Sequence, residues 1–148
     1  MLSSIKIIQP LTTDEFEKYF NLRWEILRKP WHQPKGSECD ELEEAAVHFM
    51  AVDERQKLIG VCRLHFVDET TGQIRYMAVL PDLQHKGIGR ILLSDAENVA
   101  RKKGIKLLIL QARENVVGFY ERQGYQVKEK TFLLYDEIQH FLMKKVLV

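Results

Sequence analysis

"MAVLPDLQHKGIGRILLSDAENVA", Met77 to Ala100, passes from an apolar run through a proline-bounded polar turn and a Gly-Ile-Gly step into a long helical pattern. Gln84, His85, Lys86, Gly87, Ile88 and Gly89 therefore fall between a strand ending near Val79 and a helix beginning near Gly89. The first amides of a helix lack intrahelical partners, the macrodipole makes that end positive, and glycines let a ligand approach the backbone. That combination suits a phosphate. Lys86 and Arg90 add full charges, which favours a diphosphate over a bare carboxylate. A Gly-x-Gly step before a helix also serves as an ordinary tight turn, so the stretch alone leaves both readings open. It is not a Walker loop, because no Gly-Lys-Ser/Thr follows, and the third glycine of a dinucleotide fingerprint is replaced by Leu92.

Working outward, the 148 residues match one domain, read as 1–148. Lys plus Arg number 22 and Asp plus Glu 21, for a net charge of +1, so no chain-wide field exists to hold nucleic acid. Any anion is bound locally. Cys39 and Cys62 have no C-x-x-C spacing, and the histidines at 32, 48, 65, 85 and 140 show no H-E-x-x-H pattern, so neither a disulfide framework nor a metal site is expected. "MLSSIKIIQP" is interrupted by Lys6, and no run of ~18 apolar residues occurs, which predicts a cytoplasmic protein with no membrane partner.

The periodicity alternates strands and helices, giving an α/β class. "SIKIIQP" reads as a strand. "TTDEFEKYFNLRWEIL" reads as a helix opened by Thr12 and Glu15 at capping-box spacing. "RKPWHQPKGSECDELEE" is loop at its centre, with an acidic end that is either a solvated face or a short helix. "AAVHFMAVD", "KLIGVCRLHFVD" and "GQIRYMAVL" predict an antiparallel meander. The helix from about Ile88 to Lys103 stops at Gly104, and "IKLLILQA" reads as a buried strand parallel to the one before that helix. "ENVVGFYERQGY" is a short helix closed by Gly124, and "HFLMKKVLV" a terminal strand.

Gln84-x-x-Gly87-x-Gly89, with "MAVLP" before it, a helix after it and "FYERQGY" one strand later, resembles the GNAT superfamily of N-acetyltransferases. The acetyl-CoA loop of that superfamily is Arg/Gln-x-x-Gly-x-Gly/Ala. Element order matches from Ile5 to Val148: strand, paired helices, three antiparallel strands, loop and helix, strand, helix, strands. Within the superfamily, "RLHF", "QIRYMAV", "LQAREN" and Gln139–Met143 are similar to a group of small uncharacterised bacterial acetyltransferases. The resemblance implies an α/β (α+β) fold with a central mixed, mostly antiparallel sheet, one splayed parallel strand pair and flanking helices.

The function it implies is acetyl transfer from acetyl-CoA to a primary amine of a small molecule or peptide, by direct attack on the thioester and without a metal. Backbone groups of Met77, Ala78 and Val79 would bond the pantetheine arm as an added strand does, and an amide near Met77 or Ala78 would polarise the thioester. Gln84, His85, Lys86, Gly87, Ile88, Gly89 and Arg90 would hold the pyrophosphate. Tyr120 matches the tyrosine that protonates the departing thiolate, and Asn115 would bond pantetheine or a water. Some relatives carry a glutamate on the strand before the loop, whereas "GQIRYMAV" has no acid. His65, His140, Glu38 and Glu137 are the candidate bases. A half-buried strand histidine and a solvated acidic stretch are the plainer readings of His65 and Glu38. Trp24, Pro30 and Trp31 either line an amine pocket or serve as core and loop cap. A homodimer is compatible with the sequence. So are a CoA sensor without turnover and transfer of a different acyl group.

Overall fold

A computed structural model describes residues 4–148. The chain runs β1 (Lys6–Ile8), α1 (Thr13–Leu27), β2 (Val47–Val52), β3 (Leu58–Phe66), β4 (Thr71–Val79), α2 (Ile88–Lys102), β5 (Leu107–Arg113), α3 (Val117–Arg122), β6 (Gln126–Leu134) and β7 (Ile138–Val146). These strands form a seven-stranded sheet in the order β1-β2-β3-β4-β5-β7-β6. The sheet is mixed, with β4 and β5 as its parallel pair. Thr71–Ile74 face Leu107–Leu110 in that pair.

The predicted capping box opens α1: Glu15 N donates to Thr12 Oγ1 at 3.1 Å and Thr12 N donates to Glu15 Oε1 at 3.0 Å. Backbone donors on the carboxylate hold Glu15 below the ordinary carboxylate range. The expected second helix after α1 is absent. Two prolines and a glycine break that stretch into 3₁₀ turns at Lys29–Trp31 and Glu43–Ala45. The parallel β5 is found as expected, but it is buried on one face only, at Leu108, Leu110 and Ala112. β6, which periodicity did not single out, is the sheet edge beyond β7, and most of its residues are exposed on both faces.

Contacts group the chain into two compact units. The first holds the chain up to His65 together with Tyr76–Ala96, and the second holds Phe66–Arg75 together with Glu97–Val148. In the first, α1 buries Tyr19 and Leu22 against Met50, Val52, Val61 and Ala78. α2 contributes Ile88, Leu92 and Ala96 at four-residue spacing, all buried. In the second, Leu108, Leu110, Tyr125 and Met143 are buried.

Both glycine stops form. Ile105 N donates to Ala100 O and Gly104 N to Arg101 O, each at 3.0 Å, with Gly104 at φ 84°. Tyr125 N to Tyr120 O at 3.0 Å and Gly124 N to Glu121 O at 3.1 Å repeat the pattern with Gly124 at φ 95°. Paired bonds of this kind satisfy the last carbonyls of a helix, and a left-handed glycine permits them. Tyr76 is the exception within a strand, an aromatic residue in β4 at φ 57°. Such a backbone costs on the order of 1–3 kcal/mol and persists only where its surroundings hold it.

Candidate active site

After β4, Leu80 N donates to Ile59 O of β3 at 3.0 Å, and Pro81–Leu83 make one 3₁₀ turn. The Gln84 side chain turns back, its Nε2 donating to Val79 O at 3.1 Å. His85 at φ 64° and Gly87 at φ 89° complete the reversal. The helix then begins, with Ile91 N donating to Gly87 O at 3.1 Å. Amides of Ile88, Gly89 and Arg90 precede that first intrahelical donor, and Gly87 has no side chain with which to cap them. Gln84, His85, Lys86 and Arg90 are exposed around this end, while Ile88 is buried beneath it. These amides form the positively polarised end of α2.

Met77, Ala78 and Val79 lie in the same compact unit as this loop, on the last part of β4. Ala78 packs into the α1 core, so strand alternation sends the Met77 and Val79 side chains the other way.

His65 is in this unit as well, buried, with Arg63 Nη2 3.1 Å from its Nδ1. A guanidinium only donates, so Nδ1 accepts and the neutral ring carries its proton on Nε2. Glu38 is buried rather than solvated, and its Oε1 accepts from Gly36 N at 2.7 Å. A loop carboxylate thus folds its own segment.

Around these residues lies a polar cluster that periodicity did not reveal. Arg23 and Arg63 are both 0% exposed. Arg63 forks onto Asp40 at 2.6 and 3.0 Å, and Arg23 Nη1 reaches Glu43 Oε2 at 2.8 Å. Glu43 Oε2 is also 3.0 Å from Arg63 Nη1. Two cations thus meet two carboxylates, which is how buried charge is tolerated. Arg23 Nη2 donates to Tyr19 OH at 3.0 Å, and His48 Nδ1 stands 2.8 Å from the same oxygen. The one available signal was Arg63 itself, a charge within the apolar strand "LIGVCRLHF". Trp24 ties down the following loop through Nε1 to Gln33 O at 3.0 Å.

The second unit carries Asn115, exposed in the 3₁₀ turn Glu114–Val116, with Tyr120 and His140. Tyr120 is buried on α3, edge-on to Phe119 at 4.9 Å and to Tyr125 at 5.8 Å. Tyr125 in turn donates to buried Glu97 at 2.8 Å, and Lys145 Nζ bonds both oxygens of that carboxylate at 3.1 Å and Gln123 O at 2.8 Å. This cluster anchors the Tyr125 ring that packs against Tyr120. His140 is buried beneath Phe132, with ring centroids 4.3 Å apart, and its Nδ1 is 2.9 Å from Ile138 O. A carbonyl only accepts, so Nδ1 carries the proton of the neutral ring and Nε2 its lone pair. Glu137 is exposed in the turn before β7. Among the described residues no group of three or more His, Cys, Asp or Glu side chains is placed to hold a metal ion.

Comparison with known proteins fits this arrangement. The chain is 28% identical over 141 residues to the uncharacterised N-acetyltransferase YjcF of Bacillus subtilis, covering 95% of this chain and 99% of that protein. In fold it is similar to a GNAT family acetyltransferase from Elizabethkingia anophelis with acetyl-CoA bound, with a TM-score of 0.77 and 17% identity over 97% of this chain and 99% of that one. It is also similar to an aminoglycoside 6'-N-acetyltransferase complexed with coenzyme A, with a TM-score of 0.80 and 16% identity over 97% of each chain. The family model for the acetyltransferase (GNAT) family matches residues 16–125. With the open helix N-terminus after β4, the parallel β4–β5 pair and that match, the chain belongs to the acetyltransferase (GNAT) family of acyltransferase enzymes.

Proposed function

We propose that the protein transfers an acetyl group from acetyl-CoA to a primary amine of a small molecule or peptide, by direct attack on the thioester. The N-terminus of α2, where Gly87 offers no capping side chain and Lys86 and Arg90 are exposed, carries this reading. The amides of Ile88, Gly89 and Arg90 bind the pyrophosphate, and the backbone of Met77, Ala78 and Val79 takes the pantetheine arm and polarises the thioester carbonyl. Gln84 acts through its bond to Val79 O, which keeps the loop closed on the strand. Asn115 bonds pantetheine, and Tyr120 donates a proton to the departing thiolate.

Direct attack is supported by both thiols. Burial pushes Cys62 up to about 12, and partial desolvation beside Glu38 and Glu43 pushes Cys39 up to about 11, so neither presents a thiolate for an acyl-enzyme at neutral pH. His65 and His140 are the groups proposed to take a proton from the amine, acting through water. An acceptor near an α-amino pKa of ~8 needs that help least. A panel of amines and short peptides with acetyl-CoA, followed by release of free CoA thiol, tests the reading. Turnover with a primary amine is expected. Saturable acetyl-CoA binding with no thiol released from any amine would establish a sensor instead, and faster turnover of a longer acyl-CoA would change the group transferred.

A further inference from the structure

The left-handed backbone of Tyr76 falls one residue before the strand segment assigned above to the thioester arm. Where a chain needs positive φ it uses glycine, or asparagine and aspartate, because a Cβ crowds the backbone there. A tyrosine at φ 57° inside β4 is therefore strained and persists only where its surroundings hold it. Three guanidinium groups meet its ring: Arg23 at 4.0 Å from the centroid, Arg63 at 4.9 Å and Arg28 at 5.7 Å. The two nearer ones are withdrawn from water, so their attraction to the ring face is little screened. Both are anchored in turn. Arg63 grips Asp40, Arg23 grips Glu43 and donates to Glu38 O at 3.0 Å, and these acceptors belong to the segment between α1 and β2. Beyond Tyr76 the strand is pinned again, by the packing of Ala78 on α1, by Gln84 on Val79 O and by Leu80 N on Ile59 O. Between those fixed points, the turn at Tyr76 sets the direction in which the Met77 backbone faces.

We propose that Tyr76 is a positioning residue for acetyl transfer: its ring, clamped by Arg23 and Arg63, holds the β4 turn that aims the Met77–Val79 backbone at the thioester. This rests on the acetyl-CoA reading above. The ring is the working part, so Tyr76→Phe retains the clamp, whereas Tyr76→Leu removes the π face and disfavours the turn. Loss of aim affects the reacting carbonyl more than the pyrophosphate, which the α2 N-terminus still holds.

The test is calorimetric acetyl-CoA binding and steady-state thiol release with the best amine, on folded wild type, Tyr76→Phe and Tyr76→Leu. Misalignment of a reacting group by about 1 Å costs up to about 100-fold in rate. Tyr76→Leu is therefore expected to lose about 10- to 100-fold in kcat, with the KM for acetyl-CoA changed by less than about threefold. Tyr76→Phe should stay within about twofold of wild type in both. Should the leucine variant fail to fold, Tyr76→Met, which also lacks a π face and takes left-handed backbone no more readily, is expected to show the same kcat loss. Wild-type kcat in a folded Tyr76→Leu or Tyr76→Met protein overturns the positioning role while leaving the acetyl-CoA reading intact. A wild type that binds no acetyl-CoA overturns both.

Discussion

A Cβ built on Gly60 stands 3.0 Å from Leu92 Cδ1, so the bare strand β3 makes room there for a side chain of α2. The same methyl meets Ala78 O and Ile88 Cγ2, each at 3.3 Å. The leucine terminus can rotate away, but the Ala78 carbonyl is β4 backbone and cannot. Gly60→Ala is expected to destabilise the protein by about 1–3 kcal/mol, as overpacking does, and to weaken acetyl-CoA binding because the α2 N-terminus shifts with Ile88. Thermal melts and calorimetry check both. An unchanged melting temperature would show that the two elements separate freely.

His48 gives a pH dependence of defined sign. Its Nε2 is 2.8 Å from Glu43 O, a pure acceptor, so Nε2 carries the proton of the neutral ring, and Nδ1 shares the one Tyr19 hydroxyl hydrogen with Cys62 O, 3.1 Å from the same oxygen. Burial, with a further push from Arg23 and Arg63, lowers its pKa below the ordinary 6.5, against a partial offset from Glu43. The unfolded chain then takes up the proton first. Stability from the neutral ring is complete above about pH 6.5 and declines as pH falls through that value towards the folded pKa. Between pH 7.5 and 5.5 the wild type should lose more melting temperature than His48→Gln. Parallel losses would remove His48 as the cause.

What the sequence disclosed was local. Thr12 with Glu15, Gly104, Gly124 and the Gln84–Gly89 loop are each read within a few residues, because caps, helix stops and open helix ends are short-range devices. The Arg23–Glu43 and Arg63–Asp40 pairs join residues about 20 apart that no periodicity links, and Tyr76 carries no glycine or asparagine to announce its turn. β6 escaped for another reason. As an exposed edge strand whose pairing with β7 shifts register between Val127 and Glu129 and again between Lys130 and Leu133, it lacks the two-residue alternation that marks a half-buried strand.

Gly89 is the second residue of α2, where the pyrophosphate is assigned. Gly89→Glu adds bulk and negative charge there. An acidic side chain in a first helical turn favours the helix, so folding should survive while acetyl-CoA binding collapses. Calorimetry on the folded variant decides it. Wild-type affinity would remove the loop from the site.

Gln84→Ala removes one neutral hydrogen bond, to Val79 O, from an exposed side chain. Such bonds contribute about 0.5–1.5 kcal/mol net, so the acetyl-CoA dissociation constant should rise a few-fold. A loss near a hundredfold would mean that the amide contacts the cosubstrate directly rather than closing the loop.

Tyr120 separates transfer from binding alone. Backbone and ring contacts hold it: Tyr125 N closes the helix on Tyr120 O at 3.0 Å, and the Tyr125 ring packs edge-on while its own hydroxyl is held by Glu97. Tyr120→Phe therefore keeps the ring and removes the hydroxyl proposed as proton donor. General acids contribute about 10² to 10⁴-fold, and a leaving thiol with a pKa near ~8.5 departs well enough to put the expectation at the lower end. Turnover should fall about a hundredfold, with acetyl-CoA affinity within a few-fold of wild type. Steady-state kinetics with the best amine, beside direct binding, provide the check. Equal turnover in the two proteins would leave Tyr120 as packing and return the proton transfer to solvent.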